Sequence, residues 1–508
     1  MEATQDKAVS PLTLVVTFGA LAVAYFIFST LSSAFRGPLA QIPGPASRHL
    51  SIIPYIRDLI SGRSVNATVE LHEKYGDVVR LAPNEVSFTS ADTAWTDIYG
   101  FRTGKLKGHA NMAKHQQWYG PSPNGVPSII VANDADHTRG RKVLSHAFSE
   151  RSLNGEEPLL QNYVDQLVSR LRETIAAKGD AVDMVKWYNW TTFDIIADLV
   201  FGEPFGCLQN LATHEYVGLL FSSLNAAVYV SIMEYLPWVK RFKSFLIDAN
   251  IMSARARYSK WIASKVAARI ARDSDVDHPD FMTDILANNG AKGSKLTDLE
   301  INSNASLLIT AGSETTATLL SGATYLLLRN PDKLSKLQDE VRSAFPSYEE
   351  ITLDAVNRLT YLNATLTESL RAFPPVPVGF VRQVGAGGEV ISGHYIPEGT
   401  AVSVSQYAAN HSEANFVDAK KFVPERWLDS SPYPADKKAV LQPFSFGPRA
   451  CLGRSLANAE MRLILAKIVW SFDMHLEARS QDWLERCTVM RLWVKPELAV
   501  KLTPVERS

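Results

Sequence analysis

Near the C-terminus of this 508-residue chain, one run concentrates the residues best suited to chemistry: Pro443-Phe444-Ser445-Phe446-Gly447-Pro448-Arg449-Ala450-Cys451-Leu452-Gly453-Arg454. Apolar periodicity resumes from Leu456 to Trp470, so Cys451 stands just ahead of a helix. Thiolate is the metal-ligating form of cysteine, and a helix N-terminus favours that anion. Glycines four positions before and two after the cysteine let backbone approach a flat ligand and aim N–H groups at the sulfur. Such donors restrain the charge on sulfur and so tune a bound metal. Arg449 offers a cation for a carboxylate on that ligand. The competing reading of Cys451 is a buried structural thiol. Cys207 and Cys487 lack the glycine–arginine frame and read as packing residues. Three widely spaced cysteines make neither a disulfide framework nor a four-thiolate zinc site, which points to a reducing compartment.

Other polar groups stand where apolar ones would be expected. Ala311-Gly312-Ser313-Glu314-Thr315-Thr316 interrupts a long apolar stretch. Glu368-Ser369-Leu370-Arg371 sets a carboxylate and a guanidinium one helical turn apart, and Pro424-Glu425-Arg426-Trp427 follows. In the segment from Asp134 to Ser149, His137 and Arg141 are four apart and share a helix face.

The cysteine run resembles the haem-binding loop of cytochrome P-450 monooxygenases, Phe-x-x-Gly-x-Arg-x-Cys-x-Gly. Phe444, Gly447, Arg449, Cys451 and Gly453 occupy its fixed positions. Glu368 and Arg371 match the family's Glu-x-x-Arg helix, and Arg426 stands in the segment whose arginine joins that pair. The resemblance covers essentially the whole chain. It implies haem b with Cys451 as the axial thiolate ligand to iron, a donor that assists cleavage of the O–O bond. Ala311 and Gly312 would border the space for dioxygen beside a bent helix. Thr315 would donate a hydrogen bond there, and Glu314 would pass protons inward. Glu368, Arg371 and Arg426 would form a buried structural network, where unfamiliar context would make them exposed ion pairs. Arg449, His137, Arg141 and Arg382 would meet the haem propionates, or else serve as surface charges. Many family members carry tryptophan where His137 stands.

These residues need a scaffold, and the pattern predicts a mainly α fold with a smaller β-sheet region, the cytochrome P-450 fold. Apolar residues recur at three- and four-residue spacing over Pro158 to Ala177, Met184 to Val200 and Asp332 to Phe345. Val78–Ala82, Glu85–Thr89, Glu389–Ile396 and Ala499–Leu502 read as strands. A capping box at Thr297 and Glu300, with Pro331 beyond, frames a helix of about 32 residues, roughly 48 Å if unbroken. Glu314 near its middle argues against a membrane span, since a carboxylate at mid-bilayer costs at least about 2.5 kcal/mol. A buried central helix with a polar patch fits better. The uncharged stretch from Val217 to Met233 reads as amphipathic helices around a pocket mouth.

No charged residue occurs from Ala8 to Phe35, a run long enough to span the roughly 30 Å hydrocarbon layer. A cleaved signal peptide would carry a shorter apolar region of about 7–15 residues. The expected organisation is a membrane anchor over 1–36, a Pro-rich linker over 37–48 and a haem-thiolate catalytic domain over 49–508. Ile42-Pro43-Gly44-Pro45 reads either as a stiff elbow or as an ordinary linker. Arg36 after the span places the body on the cytosolic side, and the family resemblance implies a single-pass endoplasmic reticulum protein. A net charge of −1 argues against bulk electrostatic binding of nucleic acid.

The chain shows no dinucleotide fingerprint, and Gly385-Ala386-Gly387-Gly388 reads as a turn between strands. Electrons would then come from a separate membrane-bound NADPH-cytochrome reductase, docked on a basic face including Lys420, Lys421 and Arg454. Family analogy puts the substrate pocket between 106–131, 208–239, 305–310 and 376–380, with 489–492 as a further wall. Its apolar lining implies a lipophilic substrate, hydroxylated or epoxidised with dioxygen. The HAFS and PERW segments resemble fungal secondary-metabolism enzymes, which implies a terpenoid, polyketide or alkaloid intermediate. Two alternatives keep the haem: a reductase-independent isomerase or dehydratase of peroxides, and a non-enzymatic haem sensor.

Overall fold

The computed structural model describes residues 10–122, 124–179, 181–242, 249–272, 278 and 280–506. Helices dominate, and the central one runs unbroken over Asp298–Arg329. Its capping box forms as the sequence predicts: the Thr297 hydroxyl accepts from the Glu300 N–H at 3.3 Å, and the Glu300 carboxylate accepts from the Thr297 N–H at 2.8 Å. Asn330 and Pro331 end it.

This helix packs most closely against Met184–Phe201, whose almost continuously apolar sequence buries nearly every side chain. Gly312 makes the approach feasible: a Cβ there would lie 2.6 Å from Ile196 Cδ1. Gly322 does the same toward Phe373, at 2.4 Å. Closely approaching helices need such small residues because interiors are packed as densely as organic crystals. The Tyr188 and Thr324 hydroxyls, 2.8 Å apart, hydrogen-bond across the same interface. Glu157–Lys178, Pro331–Ala344 and Arg454–Ser471 complete the helical layers that carry the site.

Among the described residues, the largest sheet has five strands in the order Val78–Ala82, Glu85–Phe88, Ala401–Val404, Arg382–Gln383 and Ala113–Lys114. Its register sets Arg382 beside Val402 on one flank and Lys114 on the other. The predicted single strand over Glu389–Ile396 is instead a hairpin, Glu389–Ile391 paired with His394–Ile396. Ser392 and Gly393 turn it with φ of 46° and 82°, the positive values that a two-residue hairpin turn demands. Val217 to Met233 lies within one helix, Glu215–Tyr235, rather than several.

The N-terminal helix, Pro11–Arg36, is capped by Ser10, whose hydroxyl accepts from the Thr13 N–H at 3.2 Å. It is long and apolar enough to cross a membrane, and the body of the fold leaves it almost wholly exposed. Beyond it, Leu39 and Ile42 are buried in the core beside the five-stranded sheet, and a short helix, Ala46–Leu50, follows. Arg80 fixes this exit. Its Nη1 donates to the carbonyls of Ala34 and Leu39 at 3.1 and 3.3 Å, while Nε donates to Pro83 at 3.1 Å.

Candidate functional site

The segment around Cys451 is shaped before any ligand is considered. Gly447 has φ 74°, and a Cβ on it would lie 2.0 Å from the Tyr99 carbonyl oxygen, so only glycine fits. Gly453 differs: its backbone is ordinary, and an added Cβ would meet only Phe148, at 3.7 Å. Its contribution is the backbone N–H that hydrogen-bonds to the Cys451 sulfur. The Cys451 N–H donates to the Phe444 carbonyl at 2.8 Å, closing the loop two residues ahead of the Gly453 cap of Arg454–Ser471. Arg454 stands over the Phe444 ring, 5.6 Å from its centroid.

Cys451 keeps accessible surface although protein surrounds it, so its sulfur faces an internal cleft rather than bulk water. Burial pushes the thiol up; the Gly453 N–H and the charges of Arg141 and Arg454 oppose that shift. A bound cation at sulfur would tip the balance to thiolate. Cys207 and Cys487 behave as predicted packing residues, buried, with thiols pushed up to about 12.

Cations collect around this loop in excess of acids. Arg141 donates through Nη1 to the Ala450 carbonyl at 2.6 Å, and its charge acts on Cys451. Arg449 is 2.8 Å from both the Ala132 carbonyl and Asp134. His137, on the helix Asp134–Leu144 with Arg141, is buried; burial first, then the charges of Arg449, Arg141 and Lys114, pull its imidazole down to about 4. As the chain stands it is neutral and offers an N–H, not a charge. Arg382 is buried, and among the described residues its Nε has no acceptor and its guanidinium makes a single long hydrogen bond, to the Met112 carbonyl at 3.5 Å. Lys114, directly opposite it in the sheet, donates to the Tyr119 hydroxyl at 3.0 Å. Burial, then Arg382 and Arg449, drive the Lys114 ammonium well below its usual value.

Like charges directly opposite in a sheet are destabilising, and a buried donor without an acceptor is costly. Together they describe a site prepared for an anion. The thiol in an internal cleft, the glycine cradle against Tyr99 and this surplus of buried cations fit the iron, flat ring and two carboxylates of haem. Lys114 escaped the sequence reading because only strand pairing brings it to Arg382.

On the central helix, Ala311 is exposed and Thr315 half-buried although the neighbouring residues Ser313, Glu314 and Thr316 are buried. The Thr315 hydroxyl donates to the Ala311 carbonyl one turn back, at 2.6 Å. No break accompanies it, so the expected bend beside Gly312 is replaced by a regular helix whose glycine faces Ile196. Glu314 forms a buried ion pair with Lys495, and Thr318 donates to the same carboxylate oxygen at 3.2 Å. The Lys495 ammonium also donates to the Thr318 hydroxyl at 2.7 Å, while Glu314 Oε2 has no partner. Lys495 follows the strand Leu492–Val494, and no pattern near it signals this contact.

Glu368, Arg371 and Arg426 meet in the interior, each fully buried. Arg371 grips Glu368 through two bonds of 2.9 and 2.8 Å and donates to the carbonyls of Asn410, Ala419 and Lys421. Glu368 also accepts from Arg426 at 3.3 Å and from the Trp427 indole at 2.8 Å. Arg426 reaches Asp436 at 2.6 Å, a fourth member the motif does not reveal. Lys420 and Lys421, expected on a basic docking face, are paired with Glu73 and Asp418.

Comparison with known proteins agrees with this geometry. The sequence model of the family described as Cytochrome P450 matches residues 43–502. The chain is 59% identical over 491 residues to the cytochrome P450 monooxygenase traB of Penicillium crustosum, covering 96% of each. It is 44% identical over 490 residues to the cytochrome P450 monooxygenase lcsI of Purpureocillium lilacinum, covering 96% of this chain and 94% of that one. Averantin hydroxylase of Dothistroma septosporum is 40% identical over 500 residues, with coverage of 97% and 91%.

Proposed function

Because the chain belongs to the cytochrome P450 family, whose members are haem-thiolate monooxygenases, we propose that it inserts one oxygen atom into a lipophilic secondary-metabolite intermediate, by hydroxylation or epoxidation. The observation that carries this reading is the Cys451 thiol in its internal cleft, with Arg141, Arg382 and Lys114 gathered about its loop without an ion-pair partner among the described residues. The relative named averantin hydroxylase supports hydroxylation as the outcome. When bound, haem b supplies reductive activation of dioxygen, with one oxygen atom leaving as water.

The chain's own residues then have these parts. Cys451 would hold the haem iron through its sulfur, and the Gly453 N–H would restrain charge on that sulfur. Phe444, Gly447 and Ala311 would help hold the ring, and Gly447 keeps the loop against Tyr99. Arg382, Arg449 and Arg141, with Lys114 and the His137 N–H, would meet the propionates. Thr315, whose hydroxyl donates to the Ala311 carbonyl, would offer that hydrogen to dioxygen instead. Glu314 holds or releases a proton at Oε2 while Lys495 and Thr318 fix Oε1. Electrons come from an NADPH-dependent reductase in the same membrane. The exposed N-terminal helix anchors the chain there, with the body cytosolic on the endoplasmic reticulum.

The test is product analysis by mass spectrometry after co-expression with such a reductase and a library of terpenoid, polyketide and alkaloid intermediates. NADPH-dependent gain of one oxygen atom is expected. Turnover of a hydroperoxide without NADPH would instead establish the isomerase or dehydratase reading. Thr315→Ala should lower product formation by about 10²-fold, the low end for a lost proton-transfer group, while NADPH consumption continues. Fully coupled turnover in that variant would refute the role given to Thr315. Arg382→Gln should weaken haem retention by roughly tenfold, read as the rate of haem transfer to apomyoglobin. An unchanged transfer rate would mean that Arg382 does not meet a propionate.

A further inference from the structure

Arg491 sits at the turn between the paired strands Thr488–Met490 and Leu492–Val494, with φ 73°. That left-handed conformation is one that glycine takes freely and arginine resists. Its guanidinium lies over the Trp118 ring, 3.7 Å from the centroid, and Nη2 donates to the Trp118 carbonyl. Stacking and hydrogen bond fix the plane of the group, and they leave Nη1 buried with no acceptor.

No carboxylate lies within ion-pair distance of Arg491 among the described residues. The acid whose charge acts on it, Glu85, is engaged elsewhere: the Tyr235 hydroxyl donates to it at 3.3 Å, and the Tyr55 hydroxyl hydrogen-bonds to it too. Burial raises that carboxyl to about 7, which reduces its charge and its claim on the arginine. Next to the arginine, His115 is buried and its Nδ1 is also unpartnered. Burial, then the Arg491 charge, lowers that imidazole to about 4, so it is a neutral donor. Tyr119 links this group to the cysteine loop, since it feels the charges of Arg382, Arg491 and Arg449 together.

We propose that Arg491 Nη1, with His115 as companion donor, binds a carboxylate on the substrate, so that the substrate is a lipophilic acid held at the tip of this hairpin. A fixed guanidinium with a free N–H and no carboxylate within ion-pair distance among the described residues is suited to a carboxylate, because charge-assisted hydrogen bonds in a desolvated site discriminate strongly against the neutral ester. A structural arginine would need only the Trp118 contacts, which any cation or polar stem could share. This proposal deepens the monooxygenase reading and rests on it.

The experiment uses the full-length, haem-loaded protein and follows the substrate-induced Soret shift. Two probe pairs serve: dodecanoic acid with methyl dodecanoate, and 2-naphthylacetic acid with its methyl ester. In at least one pair the acid should bind tighter by on the order of tenfold. Arg491→Gln should bring that ratio close to one, and Arg491→Lys should keep part of it. The reduced carbon monoxide band and the affinity for 1-phenylimidazole report separately on the haem site and should stay unchanged in both variants. Should the glutamine variant lose that band, the acid-to-ester ratio of the lysine variant decides: undiminished preference overturns the proposal. Equal binding of acid and ester, failure of both acids to bind the wild type, or a preference that survives Arg491→Gln would each overturn it. A wild type without the thiolate-type band would overturn the monooxygenase reading instead.

Discussion

Cys451→Ala should abolish the red-shifted Soret band of the reduced, carbon monoxide-treated protein and, with it, all NADPH-dependent product. Only sulfur in its anionic form produces that shift, and no other cysteine is placed to substitute: Cys207 and Cys487 are buried packing groups with strongly raised thiols. The loss should exceed the roughly 10–100-fold that removal of an outer-shell partner costs. Folding should survive, because the loop is held by contacts the thiol does not make. Gly447 against Tyr99, Arg141 on the Ala450 carbonyl and the Cys451 N–H on the Phe444 carbonyl all remain. Far-ultraviolet circular dichroism and the urea midpoint of the haem-free variant should therefore match those of the haem-free wild type. A retained red-shifted band in this variant would remove the basis of the functional reading.

The second large effect is on the fold itself. Glu368→Ala leaves two fully buried guanidinium groups, Arg371 and Arg426, without the carboxylate they share. Breaking a buried pair in this way costs about 3–5 kcal/mol, a large part of a typical stability of about 5–15 kcal/mol. Asp436 continues to hold Arg426, so Arg371 carries most of the loss. The expected result is little or no haem-loaded protein at growth temperature and a clearly lowered urea midpoint in whatever is recovered. Arg371→Lys should fare almost as badly, since an ammonium cannot serve Glu368 bidentately and also reach the carbonyls of Asn410, Ala419 and Lys421. A wild-type midpoint for Glu368→Ala would show that the network is dispensable. The two substitutions would thus separate the residue proposed to hold the cofactor from one that holds the fold.

The parts of this protein that could be read from its sequence are those that local pattern determines. The Thr297 capping box and Pro331 bound the central helix because both act within one turn of the residues they punctuate. The cysteine loop was legible because its glycines, arginine and thiol lie together in the chain. Glu389–Ile396 was misread where a short Ser-Gly turn hid inside alternating residues. What escaped entirely were pairs made by packing. Lys495 meets Glu314 from 181 residues away, Lys114 reaches Arg382 through strand register, and Asp436 closes the arginine network. Gly312 reads from sequence as an opening beside a bent helix, yet its reason is the side chain of Ile196 on another element. Such partners are chosen by tertiary distance, which a one-dimensional pattern does not encode.

Arg80 binds the carbonyls of Ala34 and Leu39 on either side of the chain's exit from its apolar helix, so that helix is a mast stepped into the hull and not a rope. In the proposed membrane setting, the pitch of the whole molecule would be set at the root of that mast. Travel within the sheet and spin about its normal are then the freedoms that remain. An electron donor moored in the same sheet would meet a single latitude of this protein at every encounter, which turns a three-dimensional search into a planar one.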